Sequence, residues 1–174
     1  MERTFYTYID SPVGRLLLAG DRRGLKLIEF PTGKAGIRHR EDWERWDEHF
    51  SLVTAQLREY FAGKRRAFDI PLNLSGTPFQ LGVWAKLREI RYGTTVSYAD
   101  IARAIGRPRA VRAVGAANGQ NPIPIVVPCH RVIGKNGSLT GYGGGLEVKA
   151  MLLRIEGVLG HRPAAPTSKI SADV

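Results

Sequence analysis

The chain has 174 residues, a formal net charge of +10 and a single cysteine. That length supports one mid-sized domain or two small ones with real cores. No run is apolar for long enough to span a membrane, and a lone cysteine excludes an internal disulfide and a cysteine-built zinc cluster and fits a reducing cytoplasm.

Residues 1–4 lead directly into an alternating segment, so no signal peptide is expected. Residues 4–9 are rich in β-formers, and Asp10-Ser11-Pro12-Val13-Gly14 is turn chemistry. Residues 15–19 and 25–30 are apolar runs joined by Gly20-Asp21-Arg22-Arg23-Gly24, which reads as a hairpin loop. Residues 31–46 are mostly polar. Trp43 and Trp46, three apart, are expected to pack one helical face on the sheet. Phe50, Val53, Leu57, Tyr60 and Phe61 follow helical spacing, with Gly63 as the stop. Residues 67–74 read as a short strand or extended link. His39 and His49 lie in charged sequence and read as solvated surface residues. No constellation in this half carries chemistry.

Ser75-Gly76 marks a boundary. Thr77, Pro78 and Gln80 then form the start of a helix: a cap, a proline at the first helical position and a capping-box partner. Phe79, Val83, Leu87 and Ile90 line one face up to Gly93. Ser97 and Asp100 open a second capped helix, which contains Ile101 and Ile105 and stops at Gly106. Arg107-Pro108-Arg109 is a turn, and residues 110–117 form a third helix. Two short helices across such a turn read as a helix-turn-helix. Arg103, Arg107, Arg109 and Arg112 surround the turn and favour a nucleic-acid partner. Ala113, Val114, Ala116 and Ala117 offer few groups for reading base edges, which suits close, non-specific docking through phosphates.

Pro128-Cys129-His130-Arg131-Val132 closes an apolar run that Pro122, Pro124 and Pro128 interrupt. Proline cannot donate to a sheet ladder, so this is no central strand. A lone cysteine is most often a small buried core residue. Here His130 and the fixed charge of Arg131 favour the thiolate, and a rigid irregular segment placing the thiol at a surface pocket is expected. Asn136-Gly137 is a tight turn. The loop Thr140-Gly141-Tyr142-Gly143-Gly144-Gly145 lacks the Lys-Ser/Thr ending of a phosphate-cradling loop and suits closure over a flat ligand. Residues 146–156 form a last helix with Leu146, Ala150 and Leu153 on one face. Residues 158–174 read as a flexible tail.

Charge follows this division. Residues 1–76 carry a net +2, residues 77–157 a net +7, and the tail +1. Concentration of positive charge in the half that also holds Cys129 points to a polyanion, most simply DNA. The expected fold class is α/β (α+β). A sheet-plus-helix scaffold over residues 1–76 precedes a mainly helical domain over residues 77–157 that holds the helix-turn-helix.

The run from Arg112 to Gly134, containing Asn121-Pro122 and Pro128-Cys129-His130-Arg131-Val132, resembles the signature of O6-alkylguanine-DNA alkyltransferases. The likeness extends from about residue 77 to 157. It implies a monomer that binds double-stranded DNA bearing O6-alkylguanine, or O4-alkylthymine, and takes the alkyl group irreversibly onto Cys129. Association along DNA is left open. The resemblance further implies that Arg112 fills the gap left by a flipped base, that Tyr98 pushes the flanking phosphate and contacts the base, and that Arg109 and Arg103 contact DNA. A water would link His130 to Glu156, and Asn121 would hold the turn before Cys129. Tyr98, Arg131, Val132, Tyr142, Gly143 and Gly144 would surround the substrate. Position 143 is glycine where some relatives carry a hydroxyl, which would widen the pocket. Neither a cofactor nor the zinc that some members hold on an N-terminal Cys/His set is expected. Two other readings stay open: a lesion-binding relative without chemistry, and a Cys-His hydrolase.

Overall fold

The computed structural model describes residues 1–31 and 39–160. The chain divides into two compact units, Met1–Ser75 and a second beginning at Gly76. The tail expectation falls largely on residues 161–174, outside the described residues.

In the first unit, strands β1 (Phe5–Ile9), β2 (Leu16–Asp21), β3 (Gly24–Glu29) and β4 (Glu44–Arg45) form one sheet in the order β3-β2-β1-β4. β1 and β2 pair antiparallel with Phe5 opposite Gly20 and Ile9 opposite Leu16. β2 is central and buried on both faces, which explains its unbroken apolar run. The hairpin loop is tighter than expected. Gly20, Asp21 and Gly24 belong to the strands, and the Asp21 carboxylate accepts from the backbone N–H groups of Arg23 and Gly24. Helix α1 (Ser51–Phe61) buries Val53, Leu57 and Tyr60, and the chain leaves it through Gly63 at φ 72°. The buried Gln56 amide donates to the Asp69 carbonyl and accepts from the Asp69 N–H, tying down the extended segment after the helix.

The tryptophan expectation needs correction. Trp43 and Trp46 flank the two-residue strand β4, which pairs parallel with β1, and do not share a helical face. The N–H groups of Glu44 and Trp46 donate to Thr4 and Tyr6 carbonyls on β1. An open sheet edge overrides a spacing that mimics a helix. Trp43 does pack on the sheet, against Tyr6, Leu17 and Ala19. His49 is likewise no solvated surface residue. It is half-buried, stacks on Trp46 and bonds the Asp21 carbonyl at 3.0 Å. His39 is exposed, as expected, but stacks on Tyr6 with ring centroids 4.0 Å apart.

The second unit contains α2 (Pro78–Leu87), β5 (Val96–Ser97), α3 (Tyr98–Ala104), α4 (Val111–Gly119), β6 (Val132–Ile133) and α5 (Leu146–Ile155). Both capping boxes form: Thr77 with Gln80, and Ser97 with Asp100. α2 ends at Leu87, and Ile90 is buried from the turn that follows. Trp84 anchors α2 to α4 through its indole N–H, which donates to the Ala117 carbonyl at 2.8 Å. Gly106, at φ 73°, turns the chain from α3 towards α4. α4 buries Val114, Ala117 and Asn118 and exposes Arg112, Ala113 and Ala116. Strands β5 and β6 pair parallel, so the start of α3 sits beside the segment that follows Cys129.

Candidate active site

Cys129 is reached from the end of α4 through a turn with one unusual residue. Ile125 has φ 74°, a region that β-branched residues rarely enter, and its side chain is buried. Such a conformation costs about 1–3 kcal/mol and persists only where surrounding bonds over-determine it. Asn121 supplies them. Its amide donates to the Val127 carbonyl at 2.8 Å and accepts from the Ile123 N–H at 3.0 Å. Pro128, at φ −81° and ψ 64°, is then the centre of an inverse γ-turn closed by the Cys129 N–H on the Val127 carbonyl at 2.8 Å. The three prolines and Asn121 therefore fix the Cys129 backbone.

Cys129 is only 4% exposed. The expected surface position is corrected to a buried one, because Ile123, Ile125, Val127 and Val132 pack into the same core. Burial pushes the thiol up to about 11, against hydrogen bonding from Asn121, the charge of Lys149 and a bond from Tyr142.

Behind the thiol lies a buried polar cluster centred on Glu156, the C-cap of α5. His130 Nε2 and Glu156 Oε1 are 2.7 Å apart. This direct bond replaces the water expected between them. Arg131 donates from Nε to Glu156 Oε2 and from Nη2 to Oε1, both at 2.9 Å, and from Nη1 to the Ile90 carbonyl at 2.7 Å. The Gly93 N–H also bonds Oε2. Burial opposes ionisation of Glu156, yet bonds from His130 and Arg131 overcome it and hold the carboxyl at about 2. Burial also holds His130 below the ordinary imidazole range, with Glu156 pulling the other way. The expectation that Arg131 charges the thiolate is corrected: its guanidinium is committed to Glu156, and Lys149 supplies the nearby charge. The Arg131 side chain faces the carboxylate, and the Val132 carbonyl accepts from Lys149.

The remaining candidates lie around this core. Tyr98, at the start of α3, is half-buried, and its hydroxyl is 3.0 Å from Thr140 Oγ1 on the glycine-rich loop. Its ring lies beside Gly115 of α4. Tyr142 is half-buried, Gly143 exposed and Gly144 buried on that same loop. A side chain added at Gly143 would meet open space. Arg109 and Arg112 are exposed on the helix-turn-helix, whereas exposed Arg103 is paired with Asp100.

Two participants were missed in the sequence. Lys149 is completely buried, and its ammonium donates to the Val132 carbonyl at 2.7 Å and the Thr140 carbonyl at 2.9 Å. Asn118, on the buried face of α4, donates to the Cys129 carbonyl at 3.4 Å. A signal for Lys149 did exist. It stands three residues after Leu146 and four before Leu153, on the stripe assigned to the core.

The chain matches two halves of one family. Residues 4–74 match the "6-O-methylguanine DNA methyltransferase, ribonuclease-like domain", and residues 78–158 match the "DNA binding domain" of the same enzyme. The chain belongs to the 6-O-methylguanine DNA methyltransferase family. It is 51% identical over 153 residues to a methylated-DNA–protein-cysteine methyltransferase of Methanosarcina acetivorans, covering 88% of this chain and 98% of that one. The constitutive enzyme of that name from Bacillus subtilis is 46% identical, with 87% and 94% covered. Mycobacterium tuberculosis OGT, solved in complex with DNA, superposes with a TM-score of 0.82 at 49% identity, covering 87% and 92%. The fold expected from the sequence, a sheet-plus-helix scaffold before a helical domain, is the fold of that structure. The lesion-binder and hydrolase readings are not favoured by these relatives. Among the described residues, no helix is long and apolar enough to cross a membrane.

Proposed function

We propose that Cys129 accepts the alkyl group of O6-alkylguanine in duplex DNA, in a direct-reversal repair reaction that each molecule performs once. The observation that carries this reading is the Cys129, His130 and Glu156 cluster, buried beside an arginine-bearing helix-turn-helix.

The protein binds DNA through α3 and α4. Arg109 meets phosphates, and the alanine face of α4 allows close approach to the duplex. The target base leaves the stack, at a cost of roughly a few kcal/mol, and Arg112 occupies the gap. It enters between Tyr98, the Val132 backbone and the loop holding Tyr142, Gly143 and Gly144. The thiol is protonated at neutral pH. His130, neutral because it is buried and held by its Nε2 bond to Glu156, is the base that takes the thiol proton. The sulfur pair then forms the S–C bond as the C–O6 bond breaks. The released pair stays on the guanine oxygen and ring, where the Tyr98 hydroxyl and loop N–H groups donate. Glu156 disperses the imidazolium charge.

The thioether has no second cysteine to release it, so the protein is consumed. The site is assembled from one chain, which suits action as a monomer. A thiol that must stay reduced suits the cytoplasm. Mass spectrometry after incubation with an O6-methylguanine oligonucleotide should show one methyl group on Cys129 and none elsewhere. Repeated turnover, or methylation of another residue, would overturn the reading.

Arg112 separates flipping from chemistry. Arg112→Ala should slow transfer from duplex DNA by about tenfold more than transfer from free O6-benzylguanine, equivalent to about 1.4 kcal/mol of lost assistance. Single-turnover rates on both substrates check this, and equal losses would show that Arg112 does not aid flipping.

A further inference from the structure

The glycine-rich loop carries side-chain hydroxyls at two positions only, Thr140 and Tyr142. Tyr142 bonds towards the Cys129 sulfur. Thr140 Oγ1 lies 3.0 Å from the Tyr98 hydroxyl at the start of α3. The Thr140 backbone is anchored separately, because its carbonyl accepts from Lys149 at 2.9 Å. The Tyr98 ring lies beside Gly115 of α4. Tyr98 is thus held at both ends, by a helix at its ring and by Thr140 at its hydroxyl.

A hydroxyl has one proton to give and two lone pairs to accept with. In the protein alone, either of these two hydroxyls can donate to the other. Once Tyr98 gives its proton to a guanine acceptor, only Thr140 can supply the proton between them. The direction of the bond is then fixed, from Thr140 Oγ1 to the Tyr98 oxygen. A hydroxyl that accepts a hydrogen bond becomes a better donor, since bonds in a chain polarise one another. Thr140 is exposed and Tyr98 half-buried, so a duplex closing over them removes water that competes for both hydroxyls.

We propose that Thr140 is a positioning residue for alkyl transfer: its hydroxyl donates to Tyr98, aims the phenol at the departing guanine and strengthens the bond to the oxygen that gains charge. This rests on the reading of Cys129 as the alkyl acceptor and Tyr98 as a donor to the leaving group. Thr140 acts through Tyr98 and touches neither sulfur nor base. Both protons stay on their own oxygens, and the pair released from the C–O6 bond is stabilised where it lies.

The test is a double-mutant cycle read by single-turnover transfer from an O6-methylguanine duplex. Thr140→Val keeps the carbonyl, and with it the Lys149 bond, and removes the hydroxyl alone. It should slow transfer by about fivefold, the effect of one ordinary hydrogen bond. Thr140→Ser keeps the donor and should restore most of the rate. Tyr98→Phe should cost more, about a hundredfold, the usual loss for one donor to a developing oxyanion. In that background Thr140→Val should add nothing, because the group it acts through is gone. Iodoacetamide alkylates the same thiol but expels iodide, which needs no donor from Tyr98. Its rate on Cys129 should therefore stay within about twofold of wild type in both Thr140 variants. Transfer by Thr140→Val at the wild-type rate, or by Thr140→Ser as slowly as by Thr140→Val, overturns the proposal. So does an equal loss from Thr140→Val in the wild-type and Tyr98→Phe backgrounds, or a parallel fall in the iodoacetamide rate. Failure of the underlying reading looks different: wild type would carry no methyl group on Cys129 after meeting the duplex.

Discussion

Cys129→Ser should abolish alkyl transfer while leaving DNA affinity within about twofold of wild type at matched salt. The two halves of this expectation rest on separate parts of the molecule. On the proposed reading, duplex docking rests on the exposed arginines of the helix-turn-helix, Arg109 and Arg112, and not on the thiol. Transfer depends on a polarisable sulfur anion. A serine hydroxyl at the same place is far harder to ionise, and burial, which already pushes the thiol up to about 11, would penalise an alkoxide further. The variant should fold, because the Asn121 bonds that shape the turn are made to the backbone. A buried hydroxyl in place of the thiol costs roughly 1–3 kcal/mol at most and can bond Asn121. Fluorescence anisotropy on a lesion duplex and a labelled-methyl transfer assay measure the two quantities. Transfer at the wild-type rate would mean that the nucleophile lies elsewhere. Loss of binding together with transfer would mean that the thiol also holds the docking helices in place.

What the residues disclose by themselves is what is local. Thr77 with Gln80, and Ser97 with Asp100, announce their helices because a capping box is closed within four residues. The prolines around Cys129 exclude regular structure for the same reason, and Asn121 forms the short-range turn its side chain favours. The failures that bear on charge and on the sheet edge are long-range. Trp43 and Trp46 mimic a helical stripe, but an edge of β1, far away in sequence, captures the segment between them. Arg131 looks like a charge for Cys129 until Glu156, 25 residues on, takes it. Lys149 fits the apolar stripe of α5 by position, yet a lysine there reads as solvated unless the carbonyls of Val132 and Thr140 are known to be waiting. Ile125 shows nothing at all in sequence, since its positive φ is imposed by the bonds around it.

Glu156→Gln should be the most destabilising conservative change in the second unit. The buried carboxylate accepts from His130, from two Arg131 nitrogens and from the Gly93 N–H. An amide of the same shape removes the negative charge, leaves the Arg131 guanidinium buried without its counter-charge, and turns one acceptor into a donor facing donors. Removing one partner of a buried pair typically costs about 3–5 kcal/mol. In a unit of this size that lowers the melting temperature by at least ~10 °C. Transfer should fall as well, because the imidazole loses the group that fixes its tautomer and disperses its charge. The pH dependence identifies the cause. Glu156 is held at about 2 against an ordinary 4.5, so its contribution is fully present above pH 4.5 and is lost as pH falls towards 2. The stability gap between wild type and Glu156→Gln should therefore be widest near neutrality and close through that window. Thermal melts at a series of pH values measure it. A gap that stays constant down to pH 2 would show that the cost comes from altered packing and not from the lost carboxylate charge.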